Sequence, residues 1–429
     1  MTLNSVESDH GADGSHAPVQ GLSILMVAPQ PFFRARGTPF SVLHRIRALL
    51  LLGHSVDLVT YPFGEDIEMK GLRIFRCATP PFVKDVRIGP SLPKIALDIA
   101  MYRETVKRLK ERSYDIIHSH EEAAFFCTRL ARRFGMAHIY DMHSSLPQQL
   151  GNFRRFNLKP LRVVFERLEH YVLDTCDGVI TICQDLADVV EDYVPAKPHK
   201  MIENTGDDSK VFSTSARDLR EEFGLQDEPI VLYTGTFEQY QGLDLLLDAF
   251  ATVVQRHPAA RLLLVGGRPD QVEEMRGKVK GLELEDNVTL TGTVHPSEIP
   301  AFLEAADMIV SPRSRGTNTP LKLYNYMRSG IPLVATNIYS HTQTLDSEIA
   351  HLVPPDAAGI AEGIVRLIDD RGYGQSLADS ALRRADASYS DKIYIEKVAD
   401  FYRRIPGFGD ATMTADAIGL ESGVQQENV

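Results

Sequence analysis

The hydrophobic residues of this chain fall into short apolar runs that are separated by longer amphipathic stretches. Each apolar run ends at glycine, proline or a polar residue, and such runs predict strands that are buried on both faces. The amphipathic stretches have the spacing of helices that cover one face of a sheet. Strands that alternate with crossover helices are typical of parallel sheets, so we predict an α/β protein.

The first unit of this alternation is a strand over residues 22–28, a helix over residues 40–52 and a strand over residues 55–60. It forms a βαβ unit, and doubly wound sheets bind ligands at the first turn of such a unit. Gly37 lies in that turn, where the absence of a side chain would let a ligand approach the backbone.

Polar residues collect where the strands of the first half are predicted to end. His120 and Glu121 follow one strand, His143 follows the next, and Arg34 and Arg36 lie in the first turn. Because the carboxyl ends of parallel strands share one edge of a sheet, we expect these side chains to line a common cleft. For His143, contact with a ligand and a purely structural role are both open.

A turn-rich stretch at residues 204–209 interrupts the alternation, which starts again at residue 230. We therefore predict two Rossmann-like domains that face each other across a central cleft, and a final helix that returns toward the first domain. Both ends of the chain lack hydrophobic periodicity, as disordered segments do. The predicted divisions are a leader (1–20), a first domain (21–204), a second domain (205–388), the returning helix (389–406) and a tail (407–429).

The segment over residues 311–335 predicts a strand end, a loop, a helix and a further strand. Pro320 suits the first position of a helix, where its missing N–H costs nothing. Arg313, Arg315 and Lys322 surround this loop with positive charge. A loop that leads into a helix after a parallel strand is a ready anion site, so we predict that it binds phosphate. An ordinary strand–helix connection with solvated arginines is the alternative.

Composition narrows the class of protein further. The 429 residues carry a net charge of −12, which argues against nucleic acid as a partner. No apolar run approaches the roughly 18 residues that span a bilayer. The sequence shows no compact set of metal ligands and no G-x-G-x-x-G dinucleotide motif. We expect a cytoplasmic protein that needs neither a metal nor a resident cofactor.

Five segments in order resemble one enzyme family, the retaining nucleotide-sugar-dependent glycosyltransferases of family 4 (glycosyl transferase group 1). The resemblance covers roughly residues 23–404. The segments are H-S-H-E-E at 118–122, C-D-G-V-I-T-I-C at 176–183, I-E-N-T-G-D at 202–207, the run from V-L-Y-T-G-T to L-L-D-A-F at 231–250, and Y-M-R-S-G-I-P-L-V-A at 326–335.

The resemblance implies a GT-B fold, in which the first domain holds the acceptor and the second holds a nucleoside-diphosphate sugar. It implies that His120, with Glu121 beside it, lies next to the transferred sugar. The leaving phosphate would accept the proton of the acceptor hydroxyl, so no metal and no pair of catalytic carboxylates is implied. The predicted donor-binding positions are those that the resemblance implies, together with residues next to them: Gly37, Gly235, Thr236, Gln241, Thr293, Val294, Arg313, Arg315, Thr317, Asn318, Thr319, Pro320, Leu321, Lys322 and Asn325.

Four of these positions depart from the family pattern. The family usually has an arginine and a lysine in the donor-domain turn and two glutamates before the later glycine turn; here these positions hold Thr236, Gln241, Thr317 and Asn325. The departures remove two phosphate-binding cations and two carboxylates. We hypothesise that Lys322 and at least one of Arg313 and Arg315 neutralise the diphosphate instead, because arginine–phosphate contacts are strong.

The acceptor is less defined. Residues 153–162 mix basic and apolar side chains, and four basic residues end the long helix near them (Lys107, Arg108, Lys110 and Arg112). This surface suits peripheral contact with an anionic membrane at the inner face of the cell, and hence a lipid-linked acceptor. Solvated helix faces are the alternative.

We therefore expect a glycosyltransferase of polysaccharide, glycolipid or glycoconjugate biosynthesis. A nucleotide-sugar epimerase or phosphorylase-like protein of the same fold is one alternative. A non-catalytic, sugar-nucleotide-binding partner subunit is another.

Overall fold

The computed structural model describes residues 21–34, 37–83, 92–145, 147, 159–205 and 218–408. Several segments singled out in the sequence lie outside the described residues: the leader 1–20, Arg36, the stretch 153–158, the turn-rich residues 206–209 and the tail from residue 409.

The first half of the chain folds into a parallel sheet with helices on both faces. Its strand order is β3-β2-β1-β4-β5-β6-β7, which places β4 and β5 side by side near the centre. The elements are β1 (Ser23–Ala28), α1 (Gly37–Leu51), β2 (Ser55–Thr60), β3 (Leu72–Arg76), α2 (Leu92–Glu111), β4 (Ile116–His120), α3 (Ala124–Phe134), β5 (Ala137–Met142), α4 (Lys159–Thr175), β6 (Gly178–Thr181), α5 (Gln184–Tyr193) and β7 (His199–Met201).

The second half forms another parallel sheet, with the order β10-β9-β8-β11-β12-β13. The elements are α6 (Leu219–Glu222), β8 (Ile230–Thr234), α7 (Leu243–Arg256), β9 (Arg261–Val265), α8 (Pro269–Gly281), β10 (Val288–Gly292), α9 (Ile299–Ala305), β11 (Met308–Ser311), α10 (Lys322–Arg328), β12 (Leu333–Thr336), α11 (Tyr339–Thr342), β13 (His351–Val353), α12 (Ala357–Asp369), α13 (Arg371–Ser388) and α14 (Asp391–Arg403). The strands β1, β8 and β9 are buried runs rich in Val, Ile and Leu, as parallel strands covered on both faces require.

The last helix, α14, returns to the first sheet as the sequence predicts. Phe401 and Ile405 pack over Gly178 at the start of β6, where a Cβ atom would lie 2.5 Å from Ile405 Cδ1. An ion pair between Arg47 of α1 and Asp391 (2.9 Å) ties the beginning of the helix to the same domain. The glycine therefore lets the helix approach the strand closely.

Two local predictions are wrong. Gly37 is the first residue of α1 and does not lie in the preceding turn, and Pro320 lies two residues before α10. The helix begins at Lys322, and Leu321 occupies its cap position. The sequence analysis also missed α8, in which Val272, Met275 and Val279 have helical spacing but stand among mostly charged and polar residues.

Candidate active site between the two sheets

Three histidines gather at the carboxyl ends of β4 and β5. His118 and His120 are two residues apart in β4, so their rings lie on the same face, with centroids 5.0 Å apart. His143 follows β5, and its Nε2 lies 2.9 Å from Nδ1 of His120. All three side chains are buried.

Asp141 lies at the centre of this cluster, because the register of β4 and β5 places it opposite His120. Its Oδ2 accepts from Arg45 Nε of α1 (2.9 Å) and lies 3.2 Å from His118 Nε2, while Oδ1 lies 3.2 Å from His143 Nε2. Burial alone would raise the pKa of Asp141, but Arg45, His143 and His118 together hold it well below its ordinary value. The carboxylate is therefore ionised.

Glu121 directly follows His120 and has a left-handed backbone (φ 50°), a conformation that few non-glycine residues adopt. Its Oε2 accepts a hydrogen bond from Ser144 Oγ at 2.6 Å. Burial raises its pKa, and the neighbouring Glu122 adds to this effect. The turn thus holds an acidic side chain against the loop that carries His143.

The fold also brings together side chains of the kind that bind metals. His118, His120 and Asp141 offer ligand atoms within 4.8 Å of one another, so the expectation of no compact ligand set is wrong in geometry. Arg45 already neutralises the carboxylate, and its guanidinium would repel a divalent cation there. The group fits a hydrogen-bond network better than a metal site.

Two cations lie at the carboxyl edge of the second sheet. The Lys322 ammonium is 4.0 Å from the centre of the Tyr233 ring, 3.2 Å from the carbonyl oxygen of Thr234 and 3.5 Å from Oε1 of Gln241. Burial, together with the charge of Arg313, lowers the pKa of Lys322 well below its ordinary value. No carboxylate among the described residues offsets these two effects on the Lys322 pKa.

Arg313 is fixed by its own loop. Its Nε donates to the carbonyl oxygen of Arg315 (2.8 Å) and its Nη1 to that of Asn318 (3.0 Å), and its guanidinium lies over the Tyr240 ring. Gly316 has a φ of 118°, and a Cβ atom there would lie 2.3 Å from Arg313 Nη2. The glycine is therefore required to let the guanidinium fold back on the loop.

The loop of Arg313 also crosses the cleft. Asn318 Nδ2 donates to the backbone carbonyl of His143 at 2.9 Å. Gln343 makes a second link, because its Nε2 donates to the carbonyl oxygen of Thr317 and its Oε1 accepts from the backbone N–H of Asp185 (2.9 Å). The cations of one sheet and the histidines of the other thus belong to one site.

The other predicted donor residues line the same edge with differing roles. Gly235 has a φ of 140°, and a Cβ atom there would lie 3.5 Å from Lys322 Nζ. Thr236 contributes its carbonyl oxygen to the Tyr233 hydroxyl (2.7 Å), and Thr293 Oγ1 donates to the carbonyl oxygen of Gly267 (2.9 Å). The remaining positions are Pro320 and Thr319, which are buried, Val294, Leu321 and Asn325, which are half-buried, and Arg315 and Thr317, which are exposed.

In the first domain, Arg34 lies 5.7 Å from the centre of the Phe63 ring, and Gly37 is exposed, with nothing within 4 Å of a Cβ atom built on it. The packing of the protein therefore does not itself require glycine at position 37. Three residues of the histidine cluster escaped sequence reasoning: Arg45, Asp141 and Tyr402. Only Asp141 left a signal, as an acid within the otherwise apolar stretch over residues 137–142.

Comparison with known proteins agrees with this geometry. The family described as "Glycosyl transferases group 1" matches residues 228–370, and "Glycosyltransferase Family 4" matches residues 35–209. The alpha-D-kanosaminyltransferase of Streptomyces kanamyceticus is 26% identical over 399 residues, covering 82% of this chain and 100% of that protein.

Solved structures show the same fold. Sucrose-phosphate synthase from Thermosynechococcus elongatus superimposes with a TM-score of 0.75 at 22% identity, covering 89% of this chain and 98% of that one. Anabaena Alr3699/HepE in complex with UDP-glucose gives a TM-score of 0.68 at 18% identity, covering 88% and 98%. The chain therefore belongs to the glycosyltransferases of the group 1 and family 4 type, and its two facing Rossmann-like domains are a GT-B fold.

Proposed function

We propose that this glycosyltransferase is a retaining, metal-independent enzyme that moves a sugar from a nucleoside diphosphate to an acceptor hydroxyl. The observation that carries the proposal is the pair of half-buried cations, Lys322 and Arg313. No carboxylate of the described residues contributes to the pKa of either group, and burial is the main cause that lowers both. A bound diphosphate would supply the missing negative charge, since charge-assisted bonds to phosphate are strong.

The same geometry explains how the chain tolerates its departures from the family pattern. Lys322 Nζ lies 3.5 Å from the side-chain oxygen of Gln241, which occupies the usual lysine position. An ammonium group is thus present beside the position where the family usually has a lysine, although it comes from a different part of the chain. This supports substitution of the phosphate-binding cations and argues against their loss.

The proposed reaction requires the sugar to lie between the cations and His120. In that position the bond from the anomeric carbon to the diphosphate oxygen breaks while the bond to the acceptor oxygen forms on the same face. The acceptor proton passes to the departing phosphate oxygen. Lys322 and Arg313 stabilise the charge that develops on that diphosphate, which is the main catalytic contribution of the protein.

We propose a lipid-linked acceptor, and peripheral contact with an anionic membrane at the inner face of the cell. The support is a row of exposed apolar side chains on α2, Ile95, Ile99 and Tyr102, whose spacing places them on one helix face. The basic residues expected to attract lipid contribute less, because Arg108 pairs with Glu104 at 2.9 Å. No described helix is long and apolar enough to cross a membrane. Co-sedimentation with anionic and with neutral vesicles tests the contact, and absence of binding to both contradicts it.

The activity is tested by measuring thermal shifts of the protein with a panel of nucleoside diphosphates and their sugars, with EDTA present throughout. The sugar nucleotide that raises Tm is then incubated alone and with acceptor pools, and the anomeric configuration of the product is read by proton NMR. Transfer or slow hydrolysis with retention supports the proposal. A new nucleotide sugar formed from the donor alone would indicate an epimerase, and binding without any turnover would indicate a non-catalytic partner subunit.

A further inference from the structure

The contacts within the histidine cluster also indicate which nitrogen of each ring carries the proton. A neutral imidazole carries one N–H, and the partner of each ring nitrogen decides which nitrogen carries it. Burial lowers the pKa of His118, and it lowers the pKa of His120 well below its ordinary value. Both rings are therefore neutral near pH 7, and the contacts around them determine their tautomers.

His118 has an unambiguous tautomer. Its Nε2 lies 3.2 Å from Asp141 Oδ2, and an ionised carboxylate can only accept, so Nε2 carries the proton. Its Nδ1 lies 2.6 Å from the hydroxyl of Tyr402 on α14 and accepts from that O–H. The returning helix thus completes the hydrogen bonds of this ring.

The same carboxylate settles the pair formed by His143 and His120. His143 Nε2 faces two atoms, Asp141 Oδ1 at 3.2 Å and His120 Nδ1 at 2.9 Å. Asp141 Oδ1 makes no hydrogen bond among the described residues, so its effect is electrostatic: a lone pair on His143 Nε2 would be repelled by the nearby anionic oxygen, whereas a proton there is attracted to it. With the proton on His143 Nε2, the Nδ1 of His120 accepts, and the single N–H of His120 is on Nε2.

Nε2 of His120 is itself buried and has no hydrogen-bond partner among the residues that the structure describes. A buried N–H without a partner loses its hydrogen bond to water and gains none in the folded protein. Such groups are rare in folded proteins, and a role in binding or catalysis is one reason for them. A sugar hydroxyl oxygen, with two lone pairs, has the chemistry to accept from it.

We infer that Asp141, held by Arg45, is a positioning residue that fixes the tautomers of the three histidines, so that His120 offers an Nε2–H donor to a hydroxyl oxygen of the transferred sugar. Arg45 Nε reaches the carboxylate from α1 at 2.9 Å and keeps it ionised in a fully buried site. The identity of the ligand rests on the proposed function, whereas the tautomer is a property of the free protein.

The test is long-range proton–nitrogen NMR of protein labelled with 15N-histidine, with the three rings assigned by single His→Gln variants. We expect His120 and His143 both to carry the proton on Nε2 in the wild-type protein. In Asp141→Asn the amide can donate as well as accept, so the His120 signals should shift toward a mixture of tautomers. Tyr402→Phe is the matched control, because it removes only the contact to His118 Nδ1 and should leave the His120 tautomer unchanged.

A proton on Nδ1 of His120 in the wild-type protein would overturn the inference, and this readout does not depend on whether the Asp141→Asn variant folds. Where that variant folds, an unchanged His120 tautomer would also overturn it. The kcat of the Asp141→Asn variant should fall by about tenfold or more. Its Kd for a nucleoside diphosphate should stay within about twofold of the wild-type value, since the cations lie in the other domain. Failure of the proposed function would remove turnover and diphosphate binding, yet the tautomers of the free protein would remain readable.

Discussion

Replacing Lys322 by methionine should weaken donor binding and at the same time stabilise the free protein. These two effects have a common cause, because the ammonium is held near the Tyr233 ring and next to Arg313 without a carboxylate among the described residues. A charge in that position costs free energy until an anion binds. Methionine keeps much of the length and apolar volume of the lysine stem but removes the charge.

The two magnitudes follow from the contacts. One charge-assisted hydrogen bond to a phosphate is worth about 1.5–3 kcal/mol, which corresponds to a loss of about 10- to 150-fold in affinity for a nucleoside diphosphate. The gain in the free energy of unfolding of the unliganded protein should be about 0.5–2 kcal/mol, as is common when a functional group under electrostatic strain is replaced.

Isothermal calorimetry measures the affinity and urea unfolding measures the stability of the same preparations. The matched control is Lys280→Met on α8, where the lysine is exposed and lies far along the chain from the cleft loops, so neither quantity should change by more than about 0.5 kcal/mol. The reasoning is refuted if Lys322→Met loses stability, which would make the lysine a structural residue, or if it binds the diphosphate as tightly as the wild-type protein.

Three further outcomes are expected. The pKa of Lys322 is lowered well below its ordinary value in the free protein, and a bound anion would raise it. In the pH range between these two pKa values diphosphate binding should therefore take up protons, and Lys322→Met should take up fewer. Calorimetry over a series of pH values, in buffers of different ionisation enthalpy, measures this uptake. Burial lowers the pKa of His138 to about 3, so between pH 7 and pH 5 the unfolded chain binds a proton at this residue and the folded chain does not. The free energy of unfolding should therefore fall by about 2 kcal/mol from pH 7 to pH 5 because of this residue. Urea unfolding at the two pH values measures the fall, which should be smaller in His138→Gln. Gly266→Ala should lower the free energy of unfolding by about 3 kcal/mol or more in the same assay, because its Cβ atom would lie 1.9 Å from the carbonyl oxygen of Gly235. In the control, Gly277→Ala, the Cβ atom meets nothing within 4 Å, so this change should be neutral or slightly stabilising.

The fold could be predicted because its signals are local. Buried parallel strands are continuous apolar runs, and the strand predicted over residues 55–60 has those limits in the structure. The failures lie where a local signal is weak or misleading. The helix over residues 269–281 is largely polar, and Pro320 has a residue type that suits a helix start although the helix begins two residues later.

The candidate site could be predicted only in part, because it depends on distances between segments that are far apart in the chain. Position 241 holds glutamine where the family usually has a lysine, and the sequence alone could offer Lys322 as a substitute without placing the two side chains together. Residue 322 lies 81 positions later, yet its ammonium reaches the side chain of Gln241, since the loops after β8 and before α10 meet at the same sheet edge. Asp141 poses the same difficulty, because one acid in an apolar strand becomes informative only when Arg45 and three histidines are seen around it. A phosphate or a sugar responds to the position of a charge in space, so a comparison of residue types at matching positions can miss a function that the folded chain retains.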